Sequence, residues 1–277
     1  MARNNKKVVV VIPIHSETPS KLELISFQQC YKVLGKHPIR ILAPEGLNLN
    51  KYKAVVPVFE VVFINPIWQS SVEKYNKLKL SQFFYKLFAD YEFLLTYELD
   101  AFLFKDELLH WCNKAYDYIG APWFVGFDNP TDEFLGVGNS GFSLRNIKSM
   151  QRALRKIYIQ EAAYHTFGKK NKIAFQLSTW LNYLRIYFGE NYTIQQSVHR
   201  NEDGFISQII AAEIKDFKIA TVEEAIQFSF EVKPAYLYKI NQNNLPMGCH
   251  AWYKYDLEFW RPFIESFGYE INVLLRE

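Results

Sequence analysis

The stretch Phe93-Leu94-Leu95-Thr96-Tyr97-Glu98-Leu99-Asp100-Ala101-Phe102-Leu103-Phe104 constrains this chain more than any other, because it sets two carboxylates in the middle of an apolar run. Strand residues two apart point to one face, so a continuous strand projects Glu98 and Asp100 side by side and turns Leu99 the other way. Two like charges among apolar neighbours raise each other's pKa and lose hydration. A divalent cation is the simplest remedy. In the other reading the strand ends near Tyr97 and both acids sit in water at a turn. The return of apolar residues at Ala101-Phe102-Leu103-Phe104 speaks for the first.

The segments around this stretch alternate between strand and helix. Val8 to Ile14 is a β-branched run with little alternation, as expected of a parallel strand covered on both faces. Ser20-Lys21-Leu22-Glu23 is a capping box, followed by apolar Leu24, Phe27, Tyr31 and Leu34 and a stop at Gly35. A second strand is expected at Ile39 to Ala43, a third extended stretch at Ala54 to Ile64, and one helix over Val72 to Phe88. Further on, a strand is expected at Phe142 to Leu144, a helix over Asp203 to Ile214, a strand at Phe217 to Ala220 and a last helix over about Leu257 to Phe267. This pattern predicts an α/β fold with a mixed, mostly parallel sheet flanked by helices and ligands at the carboxyl ends of the strands.

At 277 residues the chain suits one large α/β domain. Its expected halves are 1–145 and 146–277, the second with a helical insertion over about 146–188. A formal charge of +3 is too small to indicate nucleic-acid binding. Three scattered cysteines suggest neither a disulfide framework nor a cysteine-based zinc site. Lys6 and Lys7 precede an apolar run too short for an anchor and without a cleavage pattern, so a cytoplasmic location is expected. Forty-seven Phe, Tyr and Trp residues offer faces for sugar rings.

Gly136-Val137-Gly138-Asn139-Ser140-Gly141 has the G-x-G-x-x-G spacing, but an irregular loop precedes it and a strand follows it. It therefore reads as a glycine loop approaching a ligand, with Asn139 and Ser140 as hydrogen-bonding groups, and not as a dinucleotide fingerprint. Glu202 and Asp203 stand just before an apolar helix, where acids either cap the helix or place a general base on a rigid start. His250 lies among Cys249, Trp252 and Tyr253, and an imidazole can complete an oxygen-rich cation site. Between Arg152 and Phe188 the chain is basic and aromatic, which fits either a solvated surface or peripheral contact with anionic lipid.

In the order acid pair, glycine loop, Glu-Asp before a helix and late histidine, these elements resemble the common core of the GT-A glycosyltransferases. More narrowly, Tyr97 to Phe104, Tyr118 to Trp123, Gly138 to Arg145 and Gly248 to Trp252 resemble an uncharacterised bacterial and viral glycosyltransferase-like family of surface-polysaccharide loci. The resemblance implies a metal-dependent, inverting hexosyltransferase. It would move a sugar from a nucleotide-sugar donor, a UDP-sugar by default, to a glycan or lipid-linked acceptor. By the same resemblance Asp100 and His250 hold Mn²⁺ or Mg²⁺, with Glu98 acting directly or through water. Asp203 is the base beside Glu202. Gly138, Asn139, Ser140 and Gly141 border the donor sugar, while Pro13, Ile14, His15, Asn76 and Lys79 flank the nucleoside. The broad pattern often has Asp where this chain has Glu98. A sugar nucleotidyltransferase and a non-catalytic carbohydrate-binding protein are the alternative functions.

Overall fold

The computed structural model describes residues 6–126, 129–167, 172–188, 194 and 201–271. Among them run eleven strands: β1 (Lys6–Pro13), β2 (Ile39–Pro44), β3 (Glu60–Ile64), β4 (Tyr91–Tyr97), β5 (Phe102–Leu103), β6 (Tyr118–Ile119), β7 (Ala121–Phe124), β8 (Phe134–Gly138), β9 (Phe142–Asn146), β10 (Ser229–Phe230) and β11 (Gly248–Cys249). The main sheet has the order β3-β2-β1-β4-β9-β6. Its first four strands are parallel and β9 runs antiparallel to β4. This is the mixed, mostly parallel, helix-flanked sheet expected from the alternation.

The central strand β1 shows why its sequence lacks alternation. Val8, Val10 and Ile12 enter one hydrophobic cluster, and Val9 and Val11 enter the cluster on the opposite face. Each such burial contributes about 1.5–3 kcal/mol. On one side lies the helix Lys21–Leu34, opened by the expected capping box: Glu23 N–H donates to Ser20 Oγ, and Ser20 N–H donates to the Glu23 carboxylate.

Several local expectations are corrected. Only Glu60–Ile64 of the third extended stretch is strand, because Asn50–Lys53 forms a short helix that ends at Ala54. The helix expected over Val72 to Phe88 is two, Val72–Lys79 and Gln82–Leu87, separated where Ser81 Oγ caps Phe84 N–H. Phe217 to Ala220 contributes one parallel bridge, Ile219 to Tyr118, and no strand.

The acid-bearing stretch holds the largest correction. β4 ends at Tyr97, so Glu98 and Asp100 stand in a turn, where Ala101 N–H donates to Glu98 C=O at 2.9 Å. The apolar run resumes because β5 joins a second, three-stranded sheet of order β10-β11-β5. Both acids therefore lie at the junction of two sheets, and β11 leads into His250 beside them. Unlike a solvated turn, this one is closed: Asp100 is buried and Glu98 half-buried. No helix among the described residues is long and apolar enough to cross a membrane.

Candidate active site

A cleft of about 670 Å³ opens at the carboxyl ends of β1 and β4. Pro13 and His15 follow β1 into it, Asn76 and Lys79 enter from the helix Val72–Lys79, and Glu98 and Asp100 come from the turn after β4. Ser140, Glu202, Tyr253 and Lys254 add to the polar lining, as do Glu23 and Asn201. This is where a parallel sheet leaves its strand ends free for a ligand.

Glu98, Asp100 and His250 each place a possible ligand atom within 4.8 Å of the others. His250 Nε2 lies 3.0 Å from Asp100 Oδ1 and 3.9 Å from Glu98 Oε2. Both Asp100 Oδ1 and His250 Nε2 are buried with no partner but each other, so a shared proton or a cation bound to both must satisfy them. On its far side the ring is fixed, with Nδ1 2.8 Å from Glu231 Oε1 and 3.1 Å from Asn139 Nδ2. A carboxylate on the second ring nitrogen is the usual partner of a metal-binding histidine, since it fixes the tautomer and raises the basicity of the other nitrogen. Two oxygen donors and one imidazole suit Mn²⁺ or a similar cation. The residues present thus fit a divalent ion.

Charge is balanced tightly around these groups. Lys254 Nζ reaches Asp100 Oδ2 at 2.6 Å. Burial pushes the Asp100 carboxyl up, but neighbouring His250 and Lys254 outweigh it and hold the group well below the usual carboxylate range. Across the cleft, buried Lys79 hydrogen-bonds Ser140 Oγ and lies 3.4 Å from Glu98 Oε1 and 3.2 Å from Glu202 Oε1. The same Glu202 oxygen accepts from Arg145 Nη2 at 2.6 Å. Burial raises the Glu202 pKa, yet Lys79 and Arg145 bring it down to about 2. Asp203 behaves in the opposite way: burial and the Glu202 charge push it up to about 7, against the opposing pull of Lys79 and the Gly204 N–H that donates to Oδ1 at 2.8 Å. The two adjacent acids are thus pushed in opposite directions.

Residues 58–250, most of the chain, match the family described as Protein of unknown function (DUF5672). The chain belongs to the DUF5672 family. No curated protein matches it. Among solved structures it is similar to the apo glycosyltransferase GlyE of Streptococcus pneumoniae TIGR4, at 13% identity and a TM-score of 0.43, over 99% of this chain and 63% of that one. It is also similar to the galactosyltransferase LgtC in complex with donor and acceptor sugar analogues, at 14% identity and a TM-score of 0.43, over 93% and 95% of the two chains. A third is a glycosyltransferase involved in glycosylating the major capsid of PBCV-1, at 8% identity and a TM-score of 0.41, over 88% and 93%. The chain therefore spans less than two thirds of GlyE. At these scores the likeness carries no weight for chemistry, which rests on the side chains of this DUF5672 member.

Pro13, His15, Asn76, Lys79, Glu98, Asp100, Ser140 and Glu202 all line the one cleft. Ile14 lies in the core cluster beneath it. Gly138, Asn139 and Gly141 shape the wall without lining it. A Cβ on Gly138 would strike the Trp123 ring and one on Gly141 would meet His250 Nε2 at 2.0 Å, so both glycines make room for a side chain. Asn139 adopts φ 115° and ties the loop through Phe142 N–H to its Oδ1 at 2.8 Å and Tyr118 OH to its carbonyl at 2.5 Å. Asp203 stands beside Glu202 but outside the lining.

The surroundings add three groups beyond the expected set: Glu231 behind His250, Lys254 on Asp100, and Arg145 on Glu202. Of these only Arg145 lay within a recognisable motif. Trp252 is fully buried with Nε1–H donating to Ser26 Oγ at 3.0 Å, whereas Tyr253 faces the cleft.

Proposed function

We propose that this chain is a divalent-cation-dependent glycosyltransferase that moves a sugar from a nucleotide-sugar donor to an acceptor hydroxyl, with inversion. The observation that carries this reading is the cluster of Glu98, Asp100 and His250 ligand atoms within 4.8 Å of one another, with Asp100 Oδ1 and His250 Nε2 buried and partnered only by each other beside a cleft at the strand ends. Asp100, His250 and Glu98 would hold the ion, which when bound supplies a Lewis acid for a diphosphate leaving group.

The remaining roles belong to the chain's own side chains. Lys79 and Lys254, each paired to acids of the cleft, are ammonium donors for the donor's phosphates once a cation offsets those acids, and Ser140 and Asn76 offer hydrogen bonds along it. Tyr253 presents an aromatic face of the kind that sugar rings stack on. Asp203 takes the proton of the acceptor hydroxyl as its oxygen bonds to the anomeric carbon. The bond from that carbon to the diphosphate oxygen breaks, and the electron pair leaves with the nucleoside diphosphate. A carboxyl titrating near 7 suits this role, and Glu202, ionised and paired, keeps Lys79 and Arg145 in place.

A panel of nucleotide sugars with Mn²⁺ and candidate acceptors, scored for released nucleoside diphosphate, tests the reading. Turnover of one donor that Asp100→Asn and Asp203→Asn both abolish is expected. Release of pyrophosphate from a sugar phosphate and a nucleoside triphosphate would instead identify a nucleotidyltransferase. Mn²⁺ binding with no turnover of any donor would leave a binding protein.

A further inference from the structure

The helix Lys172–Tyr187 is built inside out. Its buried positions include Ser178 and Asn182, at 6% and 4% exposure, and Asn182 Nδ2 has no hydrogen-bond partner. Its open face carries Ile173, Leu177, Trp180, Leu181 and Tyr187, continued by Phe188, with Trp180 59% and Phe188 81% exposed. These positions recur at three- and four-residue spacing, so they form one stripe along a helix about 24 Å long. Among the described side chains of this helix, Ile186 is the apolar one packed, half-buried, against the core. A water-facing helix normally shows the reverse pattern, and an apolar stripe of this length marks an interaction surface.

Charge narrows the partner. Residues 147–188 contain eight Lys and Arg and one acid, Glu161, a net of +7 in a chain of +3, so the remainder is net negative. Lys148, Arg152, Arg155 and Lys156 are exposed along one side of the helix Ile147–Phe167, which packs against Lys172–Tyr187. Apolar and aromatic side chains on one helix, with a basic stripe on its neighbour and almost no acid, match the interface of an anionic bilayer.

We propose that this helical hairpin is a membrane-docking surface that lays the Ile173 to Phe188 stripe into the headgroup region of an anionic lipid bilayer. The docking is independent of the chemistry proposed for the cleft.

The test is co-sedimentation with vesicles of phosphatidylcholine alone against vesicles of equal parts phosphatidylcholine and phosphatidylglycerol, using the full chain. Binding to the mixed vesicles, weaker in high salt, is expected. Replacing Arg152, Arg155 and Lys156 by Gln should weaken it on the order of a hundredfold. Leu177→Ser, Trp180→Ser and Phe188→Ser together should abolish it while leaving the melting temperature and the Mn²⁺-induced shift unchanged. Failure of the wild type to bind the mixed vesicles would overturn the proposal. So would an apolar triple variant that keeps vesicle binding but turns an oligomer into a monomer, since a second copy would then cover the stripe. Neither readout needs turnover, so failure here and failure of the proposed reaction remain separate results.

Discussion

Asp100 Oδ1 and His250 Nε2 face each other across 3.0 Å, buried and with no partner but each other, while Glu231 takes the other side of the ring. With the Nδ1 proton given to Glu231, a neutral His250 would turn a lone pair toward a carboxylate oxygen. Either a second proton, which makes the contact an ion pair, or a cation bound to both must relieve this. In the ion-free protein it is the proton: burial alone would lower the His250 pKa, but Asp100 and Glu231 raise it well above the usual range.

A cation that replaces this proton stabilises only the folded chain. Mn²⁺ at a hundred times its dissociation constant should add about 2.7 kcal/mol. For a chain of this length that corresponds to a rise in melting temperature of about 4–5 °C. Asp100→Asn removes a charged ligand and should abolish the rise. Equal shifts in the two proteins, measured by scanning fluorimetry, would place the ion elsewhere.

Glu231 touches His250 at 2.8 Å and is absent from the cleft lining, which makes it a positioning residue. Glu231→Gln keeps its size but frees the Nδ1 tautomer. Mn²⁺ affinity measured by calorimetry should fall about 10- to 100-fold. The ion-free fold should remain. Unchanged affinity would show that the ring is held by Asn139 and its packing alone.

Asp203 gives a pH test with a definite sign. Its folded pKa is raised to about 7, whereas an unfolded Asp titrates near about 3.9. Between these values the folded chain holds a proton that the unfolded chain has lost, so this group lowers stability as pH rises and the loss is complete above about 7. Turnover needs the ionised form and should rise through the same range. Asp203→Asn should therefore abolish turnover yet raise the melting temperature at pH 8 by a few degrees, with no gain at pH 4. A variant that is less stable than wild type at pH 8 would contradict the burial of this charge.

Glu202 should respond in the reverse direction. One of its buried oxygens serves Lys79 and Arg145 together, and its folded pKa is lowered to about 2. The stability it contributes is present above about pH 4.5 and is lost as pH falls toward 2. Glu202→Gln leaves buried Arg145 without its counter-charge and Lys79 with Glu98 alone, and breaking a buried pair in this way typically costs about 3–5 kcal/mol. Urea unfolding at pH 7 should show a midpoint shifted far down. A loss under about 1 kcal/mol would mean that water reaches the pair.

The strand-helix alternation was readable because β1 is buried on both faces and Ser20 to Glu23 is a local cap. Neither needs knowledge of distant residues. The acid pair was located correctly and placed in the wrong element, since an apolar run cannot tell one strand from two strands joined by a turn. What distinguishes them is the pairing of β5 with β11, a contact between residues some 145 positions apart in sequence. Glu231 was invisible for the same reason: it precedes His250 by 19 residues with no motif spacing. Lys254 resembled any surface lysine, its side chain 58% exposed, until its ammonium was seen on Asp100. The apolar stripe of Lys172–Tyr187 was audible only as a basic, aromatic composition, because which side of a helix faces the core is decided by tertiary packing.

Gly141 separates space from chemistry at the cation site. Its carbonyl accepts from Glu98 N–H at 2.7 Å, and its Cα lies so close to the imidazole that an added Cβ would sit 2.0 Å from His250 Nε2. Nothing in its backbone requires glycine, for its φ is not positive. Gly141→Ala should therefore leave the main sheet intact and push the His250 ring away from Asp100. Mn²⁺ affinity should fall to the level of His250→Ala, with an unchanged far-ultraviolet circular dichroism spectrum and only a modest loss of stability, about 1–3 kcal/mol for overpacking. Full Mn²⁺ affinity in Gly141→Ala would mean that His250 moves freely, and the ligand set would then reduce to the two carboxylates.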